Sequence, residues 1–187
     1  MNKILFSTGN ERKIKEARAA CDLFNIEVEP IKLEFDEIQS HDPINITLRK
    51  VEDAYELAGE SAIVVADTSW SIPSLNGFPG GYMKDVAEWF TPDDFINLLS
   101  SKDDRTIIFR ESIVYKDETE VKLFSKEYVG KLASEPRGNS GNAFDKVAEF
   151  NGKTFAETQD EDITSHKPED FVWHEFAEWF SKKEVSL

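Results

Sequence analysis

SAIVVADTSW, residues 61–70, carries an apolar run from Ala62 to Ala66 that ends on an acid, Asp67. A run of this length between polar residues predicts a buried strand. Asp67 then falls at the carboxyl edge of that strand, where open α/β sheets place their ligands. A carboxylate there can bind a metal ion or take a proton from water. It can equally form an Asx-turn that ends the strand, a common arrangement.

Working outward, KILFST (3–8) reads as a second short buried strand, broken by Gly9 and Asn10. A helix follows, with Ile14, Ala17, Cys21 and Phe24 at helical spacing and Asn10 as its N-cap. IEVEPIKL (26–33) alternates like a strand interrupted by Pro30. Asp42-Pro43 opens another helix, with Asp at the cap and Pro in the first turn. Ile44, Leu48, Val51, Tyr55 and Ala58 form its apolar stripe, and Gly59 stops it.

Downstream, SLNGFPGGY (74–82) reads as a Gly/Pro-rich loop. Thr91-Pro92 opens a helix carrying Phe95, Leu98 and Leu99. RTIIFRESIVYK (105–116) and VKLFSKEYVGKLAS (121–134) flank the turn KDETE and predict a long hairpin. A polar loop, EPRGNSGNAFD (135–145), follows, with a short turn at Asn151-Gly152. The last helix begins near Pro168 and carries Phe171, Val172, Phe176, Trp179 and Phe180, a stripe expected to pack on the core. Helices alternate with strands early and a hairpin comes late. The pattern predicts one domain over residues 1–187, a mixed α/β fold with two lobes.

The 187 residues carry a net charge of −15. That field repels nucleic-acid backbones and anionic membranes, so neither is expected as a partner. An anionic substrate would need local lysines or a bound cation to reverse the field. Cys21 is the only cysteine, so no intrachain disulfide forms, and a reducing cytoplasm fits. It reads as a helix core residue. No apolar run approaches the roughly 20 residues of a membrane span, and the N-terminal apolar stretch is too short for a signal peptide.

Three further segments can carry chemistry. In STGNERKIKE (7–16) a strand, a Gly turn and a helix start place backbone N–H groups at one point, favourable for an anion. Thr8, Gly9 and Asn10 supply the turn, and Lys13 lies one turn into the helix. An ordinary capped helix has the same pattern. Glu34, Asp36 and Glu37 cluster before the second helix, and grouped carboxylates suit Mg²⁺; a solvated acidic loop is the alternative. Lys50 on that helix can face a phosphate. Finally, in PRGNSGNAFDK (136–146) and SHK (165–167), Phe144 can stack on a base and Asp145 can bind polar edges. His166 and Lys167 can complete that pocket. His41 and His174 have no such context and read as structural.

Together, in this order, the segments resemble the inosine triphosphate pyrophosphatase family, which acts on non-standard purine nucleoside triphosphates. Thr8, Gly9, Asn10, Lys13 and Glu16 match its opening T-G-N-x-x-K-x-x-E. FDEIQ…RKVEDA looks like its acidic loop and Lys-bearing helix, with Glu37 and Lys50 in place. Asp67, Asn76, Gly77, Pro79, Gly80, Tyr82 and Lys84 fit its central loop. EPRGNSGNAFD is similar to its P-R-G-x-x-x-F-G-[WY]-D, and SHK stands where it has S-H-R. The resemblance runs from about residue 3 to residue 180.

The resemblance implies an elongated mixed sheet with two lobes around a nucleotide cleft, and a homodimer. It implies hydrolysis of ITP, XTP or dITP to the monophosphate and pyrophosphate with Mg²⁺. Lys13 and Lys50 would clamp phosphates, and Thr68 would join Thr8, Gly9 and Asn10 in binding substrate. Glu37 would hold Mg²⁺; Asp67 would bind metal or activate water. The chain also departs from the family. Its acidic pair is Ala66-Asp67 here, F-G-[WY]-D-P is Asn142-Ala143-Phe144-Asp145-Lys146, and the Arg is Lys167. These changes leave two alternatives open: an altered nucleotide substrate, or nucleotide binding without catalysis.

Overall fold

The structure, a computed structural model, describes residues 2–161 and 168–184. β1 (Asn2–Ser7) leads into α1 (Glu11–Cys21), β2 (Ile26–Ile31), α2 (Pro43–Leu57) and β3 (Ile63–Ile72). β4 (Phe78–Gly80), α3 (Met83–Trp89) and α4 (Pro92–Leu98) follow. β5 (Thr106–Lys116) and β6 (Val121–Leu132) form the hairpin. β7 (Ala148–Phe150), β8 (Lys153–Thr154), α5 (Phe155–Asp160) and α6 (Val172–Glu184) complete the order.

Among the described residues eight strands join one sheet in the order β2-β1-β3-β5-β6-β7-β8, with β4 paired to β3. β1 runs parallel to β2 and β3, because α1 and α2 carry the chain back across the sheet. The remaining pairs are antiparallel. β2 is an edge strand, which is why it tolerates Pro30. The mixed α/β class expected from the sequence is the one observed.

Local chemistry explains the element starts. Asn10 Oδ1 caps α1 by accepting from the N–H groups of Arg12 (3.0 Å) and Lys13 (3.2 Å). Asp42 Oδ1 caps α2 through Ile44 N–H, 3.0 Å away, and Pro43 takes the first helical position. Thr91 and Asp94 form a capping box on α4. Asn151 and Gly152 both take positive φ, 51° and 86°, and close the β7–β8 hairpin. Four readings need correction. β3 does not end at Asp67 but runs on to Ile72, paired with β5 as far as Ser71, so Asp67 sits in mid-strand. The Gly/Pro-rich loop contains β4, α3 follows it unforeseen, and α2 turns Ile46 and Thr47 inward while Ile44 and Leu48 are half-buried.

Side-chain parity along β3 and β5 divides the core. Val64, Ala66, Ile113 and Tyr115 pack with α1 and α6 on one face. Ile63, Val65 and Val114 pack with α2 on the other. Farther along the same strands, Trp70, Ile72, Ile107 and Phe109 join a separate cluster with Phe95 and Phe144. Between these ends lies a polar band, Asp67, Thr68 and Ser69 opposite Ser112, Glu111 and Arg110. Long strands thus carry an apolar core at each end, and the two lobes meet at a polar middle.

Candidate active site

Lys13 reaches from the first turn of α1 to this polar band. Its Nζ donates to the Ala66 carbonyl oxygen at 3.0 Å and lies 3.9 Å from Asp67 Oδ1. Burial lowers the Lys13 pKa; Asp67 and Glu16 oppose the shift, while Lys50 and Arg12 reinforce it. Asp67 Oδ1 also accepts from its neighbour's N–H, Thr68, at 2.9 Å, so the carboxylate is held at its strand position.

A second pair stands nearby. Lys50 Nζ donates to Glu37 Oε1, joining α2 to the acidic loop. Burial alone would raise the Glu37 pKa. The hydrogen bond and charge of Lys50, with the charges of Lys84 and Lys13, carry it below the usual value instead. Three lysines therefore converge on one carboxylate in a chain of net charge −15. That is the local field reversal a polyanion requires.

Lys13, Glu16, Ala66, Asp67, Thr68 and Glu111 line a small cavity against Val172 and Trp173, with room for about one water. Glu111 carried no role in the sequence reading. It is buried at 7 % exposure, and its signal was parity: it shares the inward face with Phe109, Ile113 and Tyr115.

Other expected residues lie differently. The N–H groups of Arg12 and Lys13, expected to face an anion, are occupied by the Asn10 cap. Thr8 Oγ1 accepts from Asn10 N–H at 3.1 Å, and Gly9 is exposed. Phe144 is completely buried, with ring centroids 4.9 Å from Phe95 and 5.0 Å from Trp70. Its ring is core and is not free to stack on a base. Asp145 is also buried and accepts from Asn142 N–H at 2.9 Å. Burial raises its pKa, partly offset by its hydrogen bonds from Asn142 and Gln159. It fastens the loop around Gly141, where a Cβ would meet its carboxylate at 2.2 Å. His166 and Lys167 lie outside the described residues.

Among the described residues no group of three His, Cys, Asp or Glu side chains is placed to hold an ion. Glu37 and Asp67 are two carboxylates beside the lysine cluster. Such a set suits Mg²⁺ that keeps waters and shares its coordination with substrate phosphates.

Comparison with known proteins identifies the arrangement. The Ham1 family model matches residues 4–169. A dITP/XTP pyrophosphatase of Methanosarcina acetivorans is 31% identical over 184 residues, covering 98% of this chain and 100% of the relative. Inosine triphosphate pyrophosphatase 2 of Trypanosoma cruzi is 34% identical over 171 residues, covering 89% and 86%. The structure of a HAM1 protein from Coxiella burnetii superposes with a TM-score of 0.72 at 19% identity, covering all of both chains. These matches lead to one conclusion: the chain belongs to the Ham1 family, the pyrophosphatase family that its ordered motifs resemble.

Proposed function

We propose that this protein hydrolyses non-standard purine nucleoside triphosphates, with dITP, XTP and ITP as its substrates, to the monophosphate and pyrophosphate. The observation that carries the reading is Lys13 Nζ, bonded to the Ala66 carbonyl and facing Asp67, inside the Lys50–Glu37–Lys84 cluster. Lys13 and Lys50 hold phosphate oxygens, exchanging their present carboxylate and carbonyl partners for the substrate. Thr8, Gly9, Asn10 and Thr68 line the approach. Glu37 and Asp67 would hold Mg²⁺, which would supply neutralisation of phosphate charge. Asp67 also orients the attacking water.

The base-reading side departs from the family in sequence, at Asn142-Ala143-Phe144-Asp145-Lys146 and at Lys167, and here Phe144 is buried and Asp145 clamps its own loop. That observation favours an altered nucleotide as the second reading. Ala66 motivates a third, binding without hydrolysis. One panel separates them: pyrophosphate release from NTPs and dNTPs with Mg²⁺. Preference for dITP, XTP or ITP supports the proposal, and preference for another nucleotide supports the second reading. No turnover, with binding seen by calorimetry, supports the third.

The same reading includes a homodimer in the cytoplasm. Trp89 and Val129 are 74% and 70% exposed and offer apolar surface to a second copy. Burial pushes the lone thiol, Cys21, up to about 12, consistent with an inert core residue. Among the described residues no helix is long and apolar enough to cross a membrane. Light scattering checks the dimer, with twice the chain mass expected.

A further inference from the structure

We propose that Glu111 is a catalytic carboxylate of this site, the group that takes the proton of the attacking water. The inference rests on the hydrolytic reading above and deepens it.

Geometry carries it. Glu111 pairs across the sheet with Thr68, so both side chains leave the same face, one pleat from Ala66. On that face Lys13 and Glu16 of α1, Val172 and Trp173 of α6, and Thr68 of β3 close the one-water cavity that Glu111 lines; Asp67 borders it from the strand, at a position that alternates to the α2 face with Val65. Among the described residues its one hydrogen-bond donor is Tyr128, whose hydroxyl donates to Oε2 over 3.3 Å. A buried carboxyl with one long hydrogen bond is costly to ionise, and an apolar side chain would pack there without that cost. The sheet therefore does not need an acid at this position; a reaction at the cavity does.

The surrounding charges define how the acid behaves. From α1, Arg12 and Lys13 favour the carboxylate and Glu16 opposes it. From β6, Tyr128 favours it, its single hydroxyl proton shared between Glu111 Oε2 at 3.3 Å and the Asp170 carbonyl at 3.1 Å; Lys126 stands opposite in register and donates to the same carbonyl. From β3, Asp67 lines the same cavity. Burial, aided by Glu16, pushes the Glu111 carboxyl up to about 7 against Arg12, Tyr128 and Lys13. A base in this range matches a proton acceptor working at neutral pH.

In the step, water oxygen forms a bond to the α-phosphorus. The bond from that phosphorus to the bridging oxygen breaks, and its electron pair leaves on pyrophosphate. The water proton passes to the Glu111 carboxylate and then to solvent. Triphosphate and water thus give monophosphate, pyrophosphate and one proton.

The test is pyrophosphate release as a function of pH by the wild type and Glu111→Gln, on the best nucleotide of the panel. The wild type is expected to gain activity with rising pH through a limb near neutrality. Glu111→Gln is expected to lose about 10²–10⁴-fold in kcat together with that limb. Its calorimetric affinity for the product monophosphate is expected to be unchanged. A variant with the wild-type rate and the same limb overturns the proposal. Where circular dichroism shows Glu111→Gln unfolded, Tyr128→Phe decides. Removing a hydrogen bond that favours the carboxylate should move the limb to higher pH, and an unmoved limb overturns the proposal. A wild type that hydrolyses no nucleotide overturns the hydrolytic reading and this inference together. An active wild type with an indifferent Glu111→Gln overturns only the inference.

Discussion

Lys13 Nζ sits 3.0 Å from the Ala66 carbonyl oxygen and 3.9 Å from the Asp67 carboxylate, so α1 and β3 are joined by an ammonium at the polar middle of the sheet. Lys13→Met keeps much of the aliphatic stem and removes the charge. We expect kcat/KM to fall about 10²–10³-fold, the usual loss for one preorganised donor to developing charge. Burial lowers the Lys13 pKa, so the clamp loses its charge at lower pH than an exposed lysine would. Activity should therefore decline on an alkaline limb below pH 10.5. Lys13→Arg, which stays charged, should remove that limb. A pH–rate profile of both variants checks this, and an unaltered limb in Lys13→Arg would refute it.

Asp67→Asn keeps the Thr68 N–H bond but removes the negative charge. If Asp67 holds the ion with Glu37, the Mg²⁺ concentration for half-maximal activity should rise. A rise of about 10–100-fold matches what even outer partners of a metal contribute. A titration with Mg²⁺ measures it. An unchanged Mg²⁺ requirement would assign Asp67 to water orientation alone.

Phe144 separates what the sequence reveals from what it hides. The expectation that it stacks on a base came from its place in a motif, and a loop has no periodicity to show which side chains point inward. Packed against Trp70 and Phe95, it belongs to the core of one lobe. Phe144→Ala should cost about 3–5 kcal/mol of stability, the range for a buried aromatic. Denaturant unfolding measures this. A variant of full stability with selectively weakened nucleotide binding would restore the base-stacking role.

The legible parts follow the same logic. β5 and β6 could be read because apolar residues run or alternate over eleven and twelve positions around one turn, whereas β3 was legible only to Ala66: its second half, Asp67–Ile72, opens on polar residues that hide the continuing strand. α1, α2 and α4 could be read because Asn10, Asp42-Pro43 and Thr91-Pro92 signal helix starts. β4 and α3, three and seven residues long, are too short to show a period. The lysine cluster was half legible: Lys13 and Lys50 lie in motifs, but their convergence with Lys84 on Glu37 is a tertiary fact. Glu111 was legible only through its parity with Phe109, Ile113 and Tyr115, against the usual meaning of an isolated acid in a strand, the solvated face.

α6 closes the site from the other side, and two ion pairs of Lys183, with Asp117 and with Glu120, hold its far end. Val172 and Trp173 in its first turn line the cavity, while Lys183 in its last turn bonds Asp117 at 2.7 Å. Asp117 also accepts from Tyr115 Oη and from the N–H groups of Thr119 and Glu120, each at 2.8 Å. Burial opposes its ionisation, but Lys183, Tyr115 and these N–H groups outweigh it and hold the carboxyl well below the usual range. A depressed folded-state pKa contributes stability that is complete above the unfolded value of about 3.9 and is lost as pH falls through the folded value. Asp117→Ala should therefore be less stable than the wild type at pH 7, by about 1.5–3 kcal/mol for hydrogen bonds to a charged group. The gap should hold down to about pH 4 and close progressively below it. Because Asp117 lies at the end of α6 remote from the cavity, kcat should change far less than stability. Thermal unfolding across this pH range checks the first part. A gap that is constant through the acid range would mean the carboxyl is not held ionised by these partners.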